Sequence, residues 1–143
     1  MAALKKRYYP KIAEEVYLAT LDNGMSLSII KKKGFIEKAA FLSTNFGALD
    51  NRFYIDGKLQ TYPAGIAHFL EHKLFEDDQG RDVTLDFVKL GADVNAFTTL
   101  DRTTYYFSTI DHFEESLELL LKFTSEFTSC LLYTSPSPRD VEE

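Results

Sequence analysis

The stretch GIAHFLEHKLFE, residues 65–76, places two histidines and one glutamate in a run that is otherwise mostly apolar. Its apolar residues recur at a helical period, which predicts a helix with most of its circumference in a core. Residues three or four positions apart share one face of a helix, so His68, Glu71 and His72 lie together. The stretch therefore predicts a core-packed helix that carries a polar strip.

A shared metal ion would offset the free-energy cost of burying these three polar side chains. An unpartnered polar group costs about 1–3 kcal/mol when it is buried. Two imidazoles at i, i+4 spacing can hold one zinc ion, and His-x-x-Glu-His is an inverted zinc-hydrolase motif. His68 and His72 would then be the ligands, with Glu71 as the general base that takes a proton from the attacking water. The alternative is an ordinary helix whose two histidines are partly exposed and hydrogen-bonded to neighbours.

The flanking segments predict an α+β domain with a largely antiparallel sheet and helices packed on one face. Alternating residues on both sides of Asp22-Asn23-Gly24 predict a hairpin, because Asn and Gly tolerate a positive φ. The remaining segments predict a strand over 38–49, a polar loop over 50–62, helices over 63–75, 82–91 and 112–123, and two adjacent strands within 92–110.

Composition and charge restrict the class of protein. The chain has 143 residues, enough for one domain, and a net charge of −6, which argues against nucleic acid and anionic membranes as partners. It contains no apolar run of the roughly 20 residues that span a bilayer, and no apolar segment follows the basic start. Cys130 is the only cysteine. These features predict a cytoplasmic protein without disulfides.

The sequence pattern of the last residues differs from that of the rest of the chain. The segment CLLYTSPSPRD, residues 130–140, alternates Ser and Pro and contains no recognisable turn sequence after the preceding helix. It resembles the translation of a transposon-end sequencing adapter, and the alternative is a disordered tail. We therefore expect residues 1–129 to be the N-terminal portion of a domain and residues 130–143 to be a non-native or disordered tail.

Two motifs in order resemble one family. GIAHFLEHKLFE, followed by GADVNAFTTLDRTTYYF some twenty residues later, resembles the N-terminal part of the catalytic domain of the M16 (insulinase, or pitrilysin-like) metallopeptidases. The resemblance is strongest to the bacterial processing-peptidase-like branch and extends from about Tyr8 to Phe127. It implies a zinc-dependent endopeptidase that acts on peptides, with His68 and His72 as zinc ligands and Glu71 as general base.

The resemblance also implies a substrate-binding strand. Asn95, Ala96 and Phe97 match the edge strand along which the family's peptide substrates lie, where the substrate backbone adds to the sheet. The alternative for Asn95 is a turn or bulge residue, and the alternative for Phe97 is a core aromatic.

The third zinc ligand of the family is absent from the expected place. The resemblance puts a glutamate about 75 to 80 residues beyond His72, past the end of this chain, although a catalytic zinc normally has three protein ligands. The family also uses a second half or subunit to close over its substrate. We therefore expect weak zinc binding and no turnover from this chain. The other candidate side chains lie too early, on a surface, or in the tail, and we expect none to be a ligand: Glu114, Glu115, Glu118, Glu126, His112, Glu142 and Glu143.

Two other functional classes remain open at this point. One is a non-catalytic peptide-binding or structural subunit of the same fold, which the intact His-x-x-Glu-His disfavours. The other is a small-molecule metal-dependent hydrolase or lyase, because S-ribosylhomocysteinase-type enzymes also carry the inverted motif. The segment NAFTT, residues 95–99, favours the peptidase over that class.

Overall fold

The hairpin that Asp22-Asn23-Gly24 predicts is present and belongs to a three-stranded antiparallel sheet. The computed structural model describes residues 3–77 and 79–125. The chain divides into two compact units, Met1–Ile36 and Glu37–Glu143. The first unit contains β1 (Lys5–Tyr9), β2 (Glu14–Thr20) and β3 (Ser26–Ile30), in the order β1-β2-β3.

Its turn has the predicted chemistry. Gly24 has a φ of 86°, and the backbone N–H of Met25 donates to the Asn23 side chain. The first strand, β1, was not predicted. Its sequence KKRYY has no alternation, and it is held by pairing with β2 and by the ion pair of Lys6 with Glu15 at 2.6 Å.

The second unit holds the motif helix and all of the remaining elements described. These are β4 (Lys38–Thr44), β5 (Arg52–Ile55), β6 (Lys58–Thr61), α1 (Ile66–Leu74), α2 (Thr84–Lys89), β7 (Asp93–Thr98), β8 (Thr103–Thr109) and α3 (Phe113–Ser125). Strands β4, β8 and β7 form an antiparallel sheet in that order, and β5 pairs with β6. The predicted α+β class with antiparallel pairing is confirmed, although the strands form three separate sheets within the described residues.

The three helices pack on one face of the β4-β8-β7 sheet. Side chains alternate between the faces of a strand, so Tyr105 and Phe107 of β8 point to the helices while Tyr106 points away. Phe107 is fully buried and contacts Phe87 of α2 and Phe113 of α3, with ring centroids 6.0 and 5.5 Å apart. The core also contains Val83, Ala92, Leu120 and Phe123.

The prediction of a polar loop over residues 50–62 is wrong. This segment forms the β5-β6 hairpin, whose turn residues Asp56 and Gly57 have φ values of 49° and 76°. Positive φ at both positions is the geometry of the two-residue hairpin turn that Asp-Gly favours. Phe53 of the hairpin stacks on Tyr62 at 5.2 Å, so the segment has its own apolar contacts.

The motif helix is shorter and less buried than predicted. It begins at Ile66, after Gly65 with a φ of 90°, so Pro63 lies outside the helix. Only Ala67 and Glu71 of α1 are buried, and Phe69 is 38% exposed. The helix meets the sheet along a narrow stripe, which leaves the other side chains at least partly in solvent. In the part of the chain that the structure describes, no helix combines the length and apolarity needed to cross a bilayer.

Candidate metal centre

The two histidines of the motif lie side by side on an exposed edge of α1. Their Nε2 atoms are 3.1 Å apart, and their rings are 4.6 Å apart at an angle of 82°. The His68 side chain is 63% exposed, so the premise that both imidazoles are buried in a core is wrong. In the metal-free chain this distance also allows one imidazole to donate to the other, which matches the alternative of exposed, hydrogen-bonded histidines.

The distance between the two nitrogens suits a tetrahedral zinc site. Two nitrogens bound at about 2.0–2.1 Å to one tetrahedral zinc ion lie about 3.3 Å apart. The observed 3.1 Å is close to that value, so little side-chain movement is needed for both to bind the same ion. The donors are also of the right chemistry, because neutral imidazole is a common zinc ligand.

Glu71 occupies a different environment from the two histidines. It is only 6% exposed, and the hydroxyl of Thr98 on β7 donates to its Oε2 atom. The same oxygen is 3.7 Å from Nδ1 of His68. Burial raises the pKa of the neighbouring Tyr105, and the negative charge of Glu71 raises it further. The carboxylate is thus held against the sheet beside the imidazole pair.

The three motif residues form the one group of metal-binding character found among residues 3–77 and 79–125. Their candidate ligand atoms all lie within 4.8 Å of one another. Three acidic residues of α3 that we expected not to be ligands are outside this group: Glu114, Glu115 and Glu118. His112 lies at the start of α3, where its Nδ1 is 3.4 Å from Glu115, and is exposed as expected. The remaining candidates fall outside the described residues: Glu126, Glu142 and Glu143.

The predicted substrate-binding residues lie on β7, at an edge of the β4-β8-β7 sheet as described. Asn95 pairs with Tyr106 in an unbroken ladder, so the alternative of a turn or bulge is wrong. Phe97 is 45% exposed, so the alternative of a core aromatic is also wrong. Asn95 and Phe97 point away from the helices, while Ala96 points towards them.

A cavity of about 440 Å³ connects the motif helix with this strand. It is lined by side chains and backbone of α1, the following loop, α2 and β7: Glu71, His72, Phe75, Glu76, Gly80, Asp82, Thr84, Val94 and Asn95. A group bound there would lie beside both Glu71 and the start of β7.

Thr98 is the contact of the site that the sequence analysis missed. The alternation of side chains along β7 could have predicted this contact, because Val94, Ala96 and Thr98 share the face of β7 that is turned towards α1. A hydroxyl on that inward face needs a partner, and Glu71 is the partner it has.

An inverted His-x-x-Glu-His motif, carried here on α1, is the signature of a class of zinc hydrolases. The sequence profile of "Insulinase (Peptidase family M16)" matches residues 60–132, and the chain belongs to this family. The chain is 43% identical over 125 residues to "Uncharacterized zinc protease YmfH" of Bacillus subtilis (strain 168), covering 86% of this chain and 29% of that protein.

Two further similarities agree with this membership. The chain is 32% identical over 117 residues to "Insulin-degrading enzyme homolog" of Dictyostelium discoideum, covering 78% of this chain and 11% of that protein. The crystal structure of an M16-like peptidase from Alicyclobacillus acidocaldarius superposes with a TM-score of 0.73 at 36% identity, over 80% of this chain and 27% of that one.

These comparisons also bear on the metal and on the extent of the chain. The three grouped side chains are donors of the kind that Zn²⁺ binds, and the relative of 43% identity is named a zinc protease. The chain spans less than a third of the length of the curated relatives named here.

Proposed function

We propose that this chain is the N-terminal portion of a zinc-dependent endopeptidase that hydrolyses peptides. In this proposal His68 and His72 hold the metal, Glu71 is the general base, and residues 95–97 of β7 bind the substrate. The observation that carries it is the grouping of two imidazoles and one buried carboxylate within 4.8 Å, beside an edge strand.

The chemical roles follow from the environment of each side chain. The exposed imidazoles of His68 and His72 are open to an incoming ion, and bound zinc would supply Lewis-acid polarisation of a peptide carbonyl and acidify water. Glu71, one turn from His68, would take a proton from the attacking water and return it to the leaving amine. Only 6% of Glu71 is exposed, which limits competing water around that carboxylate and favours proton transfer at a fixed position.

Strand addition is the mode of substrate binding that β7 suits. An edge strand offers unpaired backbone N–H and C=O groups to an extended peptide. A peptide along β7 would pass the cavity that Glu71, His72 and Asn95 line, which brings a peptide bond near the base. Phe97, exposed on the other face, would contact substrate side chains that point away from the helices.

The proposal includes a division of the enzyme into parts. The described residues offer two imidazoles but no second carboxylate at the cluster, whereas a catalytic zinc usually has three protein ligands. We propose that the third ligand and a second M16-like half or subunit come from beyond this chain, and that the chain alone binds zinc weakly without turnover. A cytoplasmic location is also part of the proposal, supported by the absence of any cysteine besides Cys130.

Zinc content and peptide cleavage test the proposal directly. The purified chain should retain zinc that EDTA removes, and should not cleave a quenched fluorescent peptide library. His68→Ala and His72→Ala should lose the zinc, whereas His112→Ala should keep it, because His112 is an exposed imidazole outside the cluster. Zinc retained equally by all four proteins would contradict the assigned ligands.

Cleavage by the chain alone would contradict the division into parts. EDTA-sensitive turnover by residues 1–143, abolished by Glu71→Gln, would show that the third ligand and second half are dispensable. A non-catalytic subunit of the same fold would show a third pattern, in which zinc binds but a C-terminally extended chain with its third ligand still cleaves nothing.

A further inference from the structure

The carboxylate of Glu71 has two oxygens in unequal surroundings. Oε2 accepts a hydrogen bond from the Thr98 hydroxyl. Oε1 accepts none from the described residues, yet no buried side-chain oxygen among them lacks a partner. Glu71 also lines the 440 Å³ cavity, and 8% of its side-chain surface remains exposed. Oε2 is thus bonded to the strand, whereas Oε1 accepts no hydrogen bond from the described residues.

Thr98 is itself held in place by its neighbours. It forms the last pair of the β7-β8 ladder with Thr103, whose hydroxyl donates to the carbonyl of Phe46 at 2.8 Å. The turn that follows is hydrogen-bonded to the chain after Phe46, since Ala48 N–H donates to Thr99 C=O at 2.8 Å. A side chain fixed by a strand and a pinned turn has little freedom to move with its partner.

The hydrogen bond also limits where the carboxylate can go. Oε2 lies only 3.7 Å from His68 Nδ1, so a released Glu71 side chain could turn towards the imidazole pair. A general base must instead keep a free lone pair within reach of the water it deprotonates.

We propose that Thr98 is a positioning residue that anchors Oε2 of Glu71 and thereby presents Oε1 to the cavity for proton transfer. This inference rests on the proposed function, in which Glu71 is the general base. Thr98 does not touch substrate or metal in this scheme and acts only through Glu71.

Three substitutions separate this role from a general effect on the fold. Thr98→Val removes the hydroxyl at nearly constant shape, and Thr98→Ser restores a hydroxyl without the methyl group. Thr104→Val is the control, because Thr104 is another threonine of the same sheet and is itself buried. Its hydroxyl bonds that of Ser43 at 2.8 Å and does not reach Glu71.

The measurement is carbon NMR of glutamate side chains in the metal-free chain, with Glu71 assigned through Glu71→Gln. In Thr98→Val the Glu71 carboxyl resonance should shift by more than its linewidth, and its side-chain relaxation should approach that of exposed Glu118. Thr98→Ser and Thr104→Val should keep the parent resonance and relaxation. A Glu71 signal unchanged in Thr98→Val, or moved equally in Thr98→Ser, overturns the inference.

Zinc titration of the parent, the three threonine variants and Glu71→Gln distinguishes this inference from the proposed function. Because the Thr98 hydroxyl donates its hydrogen bond to Glu71, the proposed base, the zinc Kd of Thr98→Val should stay within about threefold of the parent. A larger loss would show that Thr98 acts on the ligands and would overturn the assignment. A parent chain that binds no zinc would contradict the metal site, and the metal-free NMR comparison would still decide the role of Thr98.

Discussion

Helices α1 and α3 pack on the same sheet but differ in length and in the side chains that they bury. Helix α3 is 13 residues long and buries Ser116, Leu120 and Phe123 against the core. Helix α1 has nine residues and buries only Ala67 and Glu71, one of which is a carboxylate. The apolar contacts that stabilise the unit are thus concentrated away from the helix that carries His68 and His72. Substitutions in the two helices should therefore have separable effects.

Leu120→Ala should produce the largest loss of stability. Leu120 is 1% exposed, and truncating a buried leucine costs about 2–5 kcal/mol of unfolding free energy. Urea unfolding followed by circular dichroism measures this change. Leu121→Ala, in the next position and 41% exposed, is the control and should cost far less. Similar costs for both would contradict the assigned orientation of α3.

His72→Ala should weaken zinc binding and leave the stability of the chain nearly unchanged. If the proposed ligands are right, removing one of the two imidazoles should weaken zinc binding about 100-fold or more, comparable with the largest effects of disturbing ligand support. The side chain is exposed, so the unfolding free energy of the metal-free chain should change by less than about 0.5 kcal/mol. Calorimetric zinc titration and urea unfolding of one preparation give both values. A strongly destabilised His72→Ala chain would contradict the separation between the helices.

Gly47→Ala tests the support beneath the site. A Cβ atom at Gly47 would clash with the Arg102 backbone nitrogen and lie 2.5 Å from that of Asp101, inside contact distance. Relief requires backbone movement in the β7-β8 turn, with an expected cost of about 1–3 kcal/mol. Thermal unfolding measures it, and Gly57→Ala serves as a comparison with open space but a positive φ. A neutral Gly47→Ala would show that the turn is not tightly packed.

Tyr105→Phe should have the smallest effect, confined to alkaline pH. Burial raises the pKa of Tyr105 above its usual value of about 10, with a further contribution from the charge of Glu71. The folded state therefore favours the neutral phenol, and stability is complete below pH 10 and falls as the pH rises beyond it. The urea midpoint of Tyr105→Phe should decline less between pH 9.5 and 11 than that of the parent, at roughly these values. Parallel declines would show that Tyr105 ionises without penalty.

Local chemistry explains which parts of the fold could be predicted. The Asn23-Gly24 turn and the helix ended by Gly91 carry strong local signals, and both are present. The Asp56-Gly57 turn carried the same kind of signal, but the charged residues around it suggested a loop. Strand β1 has no local signal and depends on its pairing with β2, which the sequence of β1 alone does not reveal.

The candidate site was predicted to a similar extent. Helical spacing was enough to group His68, Glu71 and His72, and the structure brings them within 4.8 Å. The burial of the two histidines was misjudged, because apolar neighbours such as Phe69 indicated a core that encloses Glu71 but not the imidazoles. The contact of Thr98 with Glu71 joins residues 27 positions apart, and helical periodicity carries no information about it. The proposed boundary at residue 129 lies outside the described residues and stays a prediction.

The exposed histidine pair has a practical consequence for anyone who purifies this chain. Two imidazoles one helical turn apart on a solvent-facing surface can act as a handle for purification, because together they can chelate a metal ion on a resin. Untagged protein should be retained on a nickel or zinc affinity resin and eluted by imidazole. A polyhistidine tag would compete with this handle for metal, so zinc stoichiometry is best measured on a tag-free preparation that was never exposed to such a resin.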